Sequence, residues 1–158
     1  MTDRTEPDRE LVFQPYAGSN AFVLVDPGSE QPWPFDDGSP QDSDELVVTT
    51  QAGAGFLSAG RDFYPTVRIR ITSAHPSHEG GSWDAAGETS VTVLNGRLAL
   101  SSVIRDIAGM FDVEPGDWHL LWRVRGRDQA ARRSLDAGER YFHGVEEWDL
   151  VLWPELDE

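Results

Sequence analysis

The sequence predicts an all-β domain, an antiparallel β-sandwich or partly open barrel of about eight short strands with little helix. Three observations predict it. Several runs alternate apolar and polar residues or are rich in β-branched and aromatic types, clusters of Gly, Pro, Asn and Asp separate them, and helical periodicity is nearly absent.

In chain order the strand candidates are residues 11–16, 21–26, 45–51, 66–73, 89–94, 97–102, 118–125 and 148–153. Between the fifth and sixth stands Asn95-Gly96, a pair that adopts positive φ readily and so predicts a type I′ hairpin. Glu114-Pro115-Gly116-Asp117 predicts a turn before the strongest strand. Only residues 103–110 and 129–135 suggest helical turns, and both are short for independent helices.

The chain of 158 residues reads as a single domain spanning 1–158, with residues 1–9 a mobile N-terminal tail. A domain of this size buries about two-thirds of the surface its unfolded chain exposes, so it folds without staples. Cysteine is absent, which excludes disulfides, thiolate metal sites and a cysteine nucleophile. The first ten residues alternate acids with Arg4 and Arg9, with no apolar signal core behind them, so a cytoplasmic location is expected. No apolar run approaches the roughly 20 residues that cross a bilayer as a helix, and no membrane partner is expected.

Twenty-eight acids against thirteen bases give a net charge of −15. Such a charge opposes direct binding to nucleic acid and favours a basic protein partner. All thirteen bases are arginine, which also suits a GC-rich genome or a salty cytoplasm. The segment 26–45 concentrates the acidity in Asp26, Glu30, Asp36, Asp37, Asp42, Asp44 and Glu45, without one base. Four prolines and two glycines make it a surface loop. Trp33 and Phe35, set between its prolines, either fold back onto the core or stand out as interface anchors. Trp33, Phe35, Asp36, Asp37, Asp42, Asp44 and Glu45 are therefore the candidate partner-binding residues.

In the strand 118–127, Trp118, Leu120, Trp122 and Val124 share one face, while His119, Leu121, Arg123, Arg125 and Arg127 share the other. Arg68 and Arg70 form a similar pair opposite Val67, Ile69 and Ile71. Glu147 and Asp149 face away from Trp148, Leu150 and Leu152, so cross-strand ion pairs of about 0.2–1 kcal/mol each are expected if these strands are neighbours. The alternative is an anion or acidic-peptide site on this face, which requires at least two of the five arginines to lack a carboxylate partner.

His75-Pro76-Ser77-His78-Glu79 places His75, His78 and Glu79 close in sequence, a weak zinc candidate. Pro76 breaks any helix, and the order of ligands is not that of a zincin. His119 and His143 are isolated, and no triad follows from spacing. Adjacent acids such as Asp36-Asp37 and Glu146-Glu147 point apart in a strand and are a weak glycosidase signal. Gly53-Ala54-Gly55 lacks the lysine and helix of a phosphate loop, and Gly80-Gly81 reads as a turn. No catalytic residue and no cofactor is expected.

The C-terminal third has a layout of its own: a Pro-Gly turn, a Trp-rich strand ending Arg123-Val124-Arg125-Gly126-Arg127-Asp128, a polar loop, then Trp148-Asp149-Leu150-Val151-Leu152-Trp153-Pro154. It resembles a group of small bacterial β-sandwich proteins and is similar in layout to the competence-associated DNA-entry nuclease inhibitor family. The resemblance implies a sandwich fold and, for some members, an inhibitor or immunity-type binding role, with no catalytic residue. The sequence departs from the family in lacking a motif assignable as the inhibitory surface.

Three functions compete. The first is a non-catalytic acidic protein that neutralises a basic partner such as a nuclease or toxin. The second is a small-molecule-binding or hydrolytic sandwich using His75, His78, Glu79 and the arginine face. The third is a structural subunit of a larger assembly, which an exposed apolar patch would mark.

Overall fold

The computed structural model describes residues 9–36, 45–76 and 81–155. Of the expected tail 1–9, Arg9 instead opens a strand paired with Ile71, while residues 1–8 lie outside the described residues, as do Asp37, Asp42, Asp44, His78 and Glu79. The chain forms β1 (Arg9–Phe13), β2 (Ala21–Val25), β3 (Val47–Thr50), β4 (Gly53–Leu57), β5 (Tyr64–Ile71), β6 (Ala85–Val93), β7 (Arg97–Ser102), β8 (Ile107–Asp112) and β9 (Gly116–Arg125). Then come α1 (Arg127–Ala131), one turn of π-helix (Arg132–Asp136) and β10 (His143–Pro154). Two five-stranded sheets face each other, ordered β1-β5-β10-β9-β6 and β3-β4-β2-β7-β8. Neighbours are antiparallel except β5 and β10, which run parallel. Among the described residues, no helix is long and apolar enough to cross a membrane.

The architecture is the expected all-β sandwich, with two strands that the sequence pattern did not reveal. Glycines 53 and 55 make β4 look like a turn. A Cβ on Gly55 would stand 2.5 Å from the Phe35 ring and 2.8 Å from Pro34, so glycine is what lets that segment lie flat on the strand. Residues 103–110 are not helical; a turn at 102–106 leads into the edge strand β8, whose Leu98↔Phe111 pairing with β7 supplies its buried residue. Its Ile107 and Met110 stay about half exposed, which masks the alternation.

The Asn95-Gly96 hairpin is also corrected. Gly96 takes the foreseen positive φ of 76°, but β6 and β7 belong to different sheets, so the turn carries the chain across the sandwich. Glu114-Pro115-Gly116-Asp117 makes the return crossing from β8 to β9.

Between the sheets, Phe22 and Phe56 stack at 5.0 Å, and Trp148 meets both edge-on at 5.6 and 5.4 Å. Each such aromatic pair adds about 0.5–1.5 kcal/mol beyond area burial. Trp118, Leu120 and Val124 enter this core from β9 as their period of two requires, with Trp122 packed against it. By contrast, all five residues of β2 are buried, because both faces of its sheet are covered. That explains its unbroken apolar run, Ala-Phe-Val-Leu-Val.

Candidate functional site

The described residues 26–36 of the acidic segment form a strap on the outer face of the second sheet. Val25 pairs with Gly53 at one end of β4, and Val47 pairs with Phe56 at the other. The end of β2 and the start of β3 therefore lie at opposite ends of β4. Trp33, 6% exposed, seals the strap onto Val23, Val25 and Ala52, with Phe35 and Val103 packed alongside. Trp33 is thus a cap of the apolar face. Asp36 closes a turn with it: the Trp33 amide donates to Asp36 Oδ2 at 2.8 Å, and the Asp36 amide donates to the Trp33 carbonyl at 3.1 Å.

Arg105, from the turn between β7 and β8, lies over this turn. Its guanidinium carbon stands 3.9 Å from the centroid of the Trp33 ring, and its Nη2 donates to Asp36 Oδ2 at 3.0 Å. A cation on an exposed aromatic face and a surface ion pair are each worth up to about 1 kcal/mol. Beside them opens a groove of about 770 Å³, walled by Glu30, Pro32, Phe35, Val48 and Arg105. Glu30 is exposed on the strap, and Glu45 is exposed just before β3.

Asp26 leaves this group. It is fully buried and accepts hydrogen bonds from the amides of Gly28 (2.9 Å), Leu94 (2.7 Å) and Asn95 (2.9 Å), and from Asn95 Nδ2 (3.1 Å). Burial pushes its carboxyl up, but the bonds from Asn95, Leu94 and Gly28 outweigh this and hold it below the ordinary aspartate value. Its role is to fasten the Asn95-Gly96 crossing to the end of β2.

On the outer face of the first sheet, β10 separates the arginines of β9 from those of β5. Arg70 and Arg123 both donate to Asp149 Oδ2, the former at 2.8 Å. Arg125 donates twice to Glu147 Oε2, at 2.9 and 2.8 Å, and Arg68 pairs with Glu10 at 2.9 Å. Trp83 packs against Arg123 and Arg125, 4.5 and 4.7 Å from its ring centroid. Arg127 does not belong to this ladder. It opens α1 and turns under the sandwich, donating to the Leu57 carbonyl at 2.8 Å and approaching Glu146 Oε2 at 3.5 Å. Each of the five arginines therefore meets a carboxylate, and the requirement for an anion site on this face is not met.

His75 sits edge-on to Trp153, 4.7 Å between ring centroids, with Nε2 3.3 Å from Glu88 Oε1. It lines neither the strap groove nor the shallow depression over the arginines. Among the described residues, no group of three or more His, Asp or Glu is placed to hold a metal ion.

Sequence reasoning missed Glu146. It is fully buried, accepts from the Ala59 amide and from Trp148 Nε1, both at 2.7 Å, and approaches Arg127. Burial pushes its carboxyl up, against the opposing pull of Ala59, Trp148 and Arg127. The register of β10 against β5 shifts between His143 and Glu147, and Val145 there has a φ of 73°, an outlier for a β-branched residue. Its sequence signal, an acid beside Glu147, did not distinguish it from a solvated pair.

No family model matches the sequence, and no curated protein matches it. Two solved structures share the fold over nearly the whole chain. The crystal structure of ComJ, inhibitor of the DNA degrading activity of NucA, from Bacillus subtilis, matches with a TM-score of 0.63 and 11% identity, covering 93% of this chain and 96% of that one. The structure titled Crocagin biosynthetic gene J matches with a TM-score of 0.53 and 16% identity, covering 95% and 98%. At these identities the likeness is one of fold, and it extends beyond the C-terminal third in which the sequence resembled the inhibitor family.

Proposed function

We propose that the chain is a non-catalytic acidic binding protein that captures a basic protein, in the manner of an inhibitor or immunity protein directed at a nuclease or toxin. The observation that carries this reading is the strap. Trp33 pins the described part of the strap along a sheet, with Glu30 and Glu45 exposed, in a segment whose sequence carries seven acids and no base. A net charge of −15 adds a long-range pull on a basic surface and repels competing phosphates. The ComJ likeness supports the reading, because that sandwich restrains a DNA-degrading activity. Of the residues named for the hydrolytic alternative, His75 rests against Trp153 and Glu88 and lines neither described groove.

The test is capture from the native host's cytosol at low and high salt, with the wild type and with a variant carrying Glu30, Asp37, Asp42 and Asp44 each changed to Arg. One basic protein should be recovered at low salt, lost at high salt and absent with the variant. Equal capture by the charge-reversed variant would sink the reading.

A further inference from the structure

We propose that the Trp33 ring and the Asp36 carboxylate form an arginine seat on the strap, filled by Arg105 in the free protein and by an arginine of the basic partner in the complex. The inference rests on the reading of the chain as a protein that captures a basic partner. The seat offers a flat aromatic face for a guanidinium plane at 3.9 Å and a carboxylate oxygen for its N–H at 3.0 Å. That combination suits arginine rather than lysine, whose ammonium lacks the stacking plane.

Arg105 is a suitable placeholder. Its side chain is 54% exposed even while seated, and it projects from a surface turn at a φ of 68°, so it swings into water without disturbing the core. The seat also opens sideways into the groove of about 770 Å³, whose walls of Pro32, Phe35 and Val48 give room for the peptide segment that carries the incoming arginine. Charge favours the exchange. The charged residues lining the groove are Glu30, Asp36 and Arg105, a sum of −1 that becomes −2 once Arg105 leaves. Arg105 is on this account a built-in competitor, which admits an arginine backed by further contacts and turns away isolated cations.

The experiment titrates the wild type and Arg105→Ala with N-acetyl-arginine amide and N-acetyl-lysine amide. Binding is followed at the Trp33 indole N–H resonance, assigned by its loss in Trp33→Phe. Arg105→Ala should bind the arginine amide about tenfold more tightly than the wild type does, a gain of about 1.4 kcal/mol, with no such gain for lysine. Adding Asp36→Asn should abolish the gain. Binding no tighter than wild type, or an equal gain for lysine, would overturn the seat. Octa-arginine and octa-lysine peptides at low and high salt separate the two readings. If both bind alike, with salt sensitivity and no effect of Arg105→Ala, acidic capture stands and the seat falls. If Arg105→Ala seats the arginine amide while the wild type retains neither peptide at low salt, the seat stands and acidic capture falls.

Discussion

Asp26 and Glu146 are both fully buried, at opposite ends of the sandwich, yet their surroundings push their proton affinities in opposite directions. At the Asp26 end three backbone amides and one side-chain amide converge on the carboxylate, and it stays charged at little cost. At the Glu146 end a single backbone amide, the Trp148 indole, the Ser58 hydroxyl and a distant Arg127 do not fully offset the loss of water. There the backbone is also strained at Val145, a β-branched residue with a φ of 73°, while Gly126 and Gly144 take positive φ freely. The comparison teaches that a buried acid becomes a cheap fastener when a turn presents consecutive amides to it, and an expensive one when side chains from separate elements must be gathered.

The largest expected effect is at the expensive end. Glu146→Ala orphans the Ala59 amide and the Trp148 indole and leaves Arg127 without its carboxylate, so unfolding free energy should fall by about 3–5 kcal/mol in urea titrations. Gly126→Ala should be costly for a second reason, since its Cβ would lie 1.9 Å from the Val145 carbonyl oxygen. A loss below about 1 kcal/mol for Glu146→Ala would mean that the bulge relaxes and the carboxylate is dispensable.

Asp26→Ala should cost about 2–3 kcal/mol, because charge-assisted hydrogen bonds from several amides are lost together but the loop can admit water to them. If instead it cost more than Glu146→Ala, amide convergence would be the dominant fastener and the comparison would reverse.

These two acids also mark where the sequence was legible and where it was not. The period of two placed the core face of β9 and its arginines, because alternation survives wherever one sheet face is wet. It failed for β4, where Gly55 makes room for Phe35. Turn chemistry fixed the backbone at Gly96 but not which sheet the next strand joins, since local φ preference carries no information about long-range pairing. Asp26 read as a strap acid because Pro-Gly-Ser-Glu follows it; the Asn95 that bonds it lies 69 residues away. Glu146 and Glu147 look alike in sequence, and only the bulge and the packing of Ser58 and Ala59 send one inward. The strap's composition was legible, whereas its seat was not, because Arg105 reaches Asp36 from a turn 69 residues on.

Acid titration should separate the two ends by sign. The folded-state value of Asp26 lies below its ordinary 3.8, so its contribution to stability is full above that value and is lost as pH falls through the lowered one. That of Glu146 lies above its ordinary 4.5, so its contribution is full below 4.5 and is lost as pH rises through the raised value. Comparing each variant with wild type removes the background repulsion of the acidic chain. On acidification toward 4.5 the wild type should gain stability relative to Glu146→Gln, and below 3.8 it should lose stability relative to Asp26→Asn, each by at most about 1.4 kcal/mol per pH unit. Parallel curves for wild type and both variants would show that neither acid titrates differently on folding.

The smallest effect is expected at Gly96→Ala. Gly96 shares the positive φ of Gly126, but a Cβ there meets only the Val113 carbonyl oxygen at 3.8 Å, so the substitution carries the left-handed backbone penalty alone. That penalty is about 1 kcal/mol, and the melting temperature should drop by a few degrees. The result bears on how Asp26 works. If its amide contacts tolerate the small adjustment, the loss stays near 1 kcal/mol and adds to that of Asp26→Ala in the double variant. If the crossing must hold Leu94 and Asn95 rigidly for the carboxylate, Gly96→Ala already breaks those bonds, and the double variant costs no more than Asp26→Ala alone.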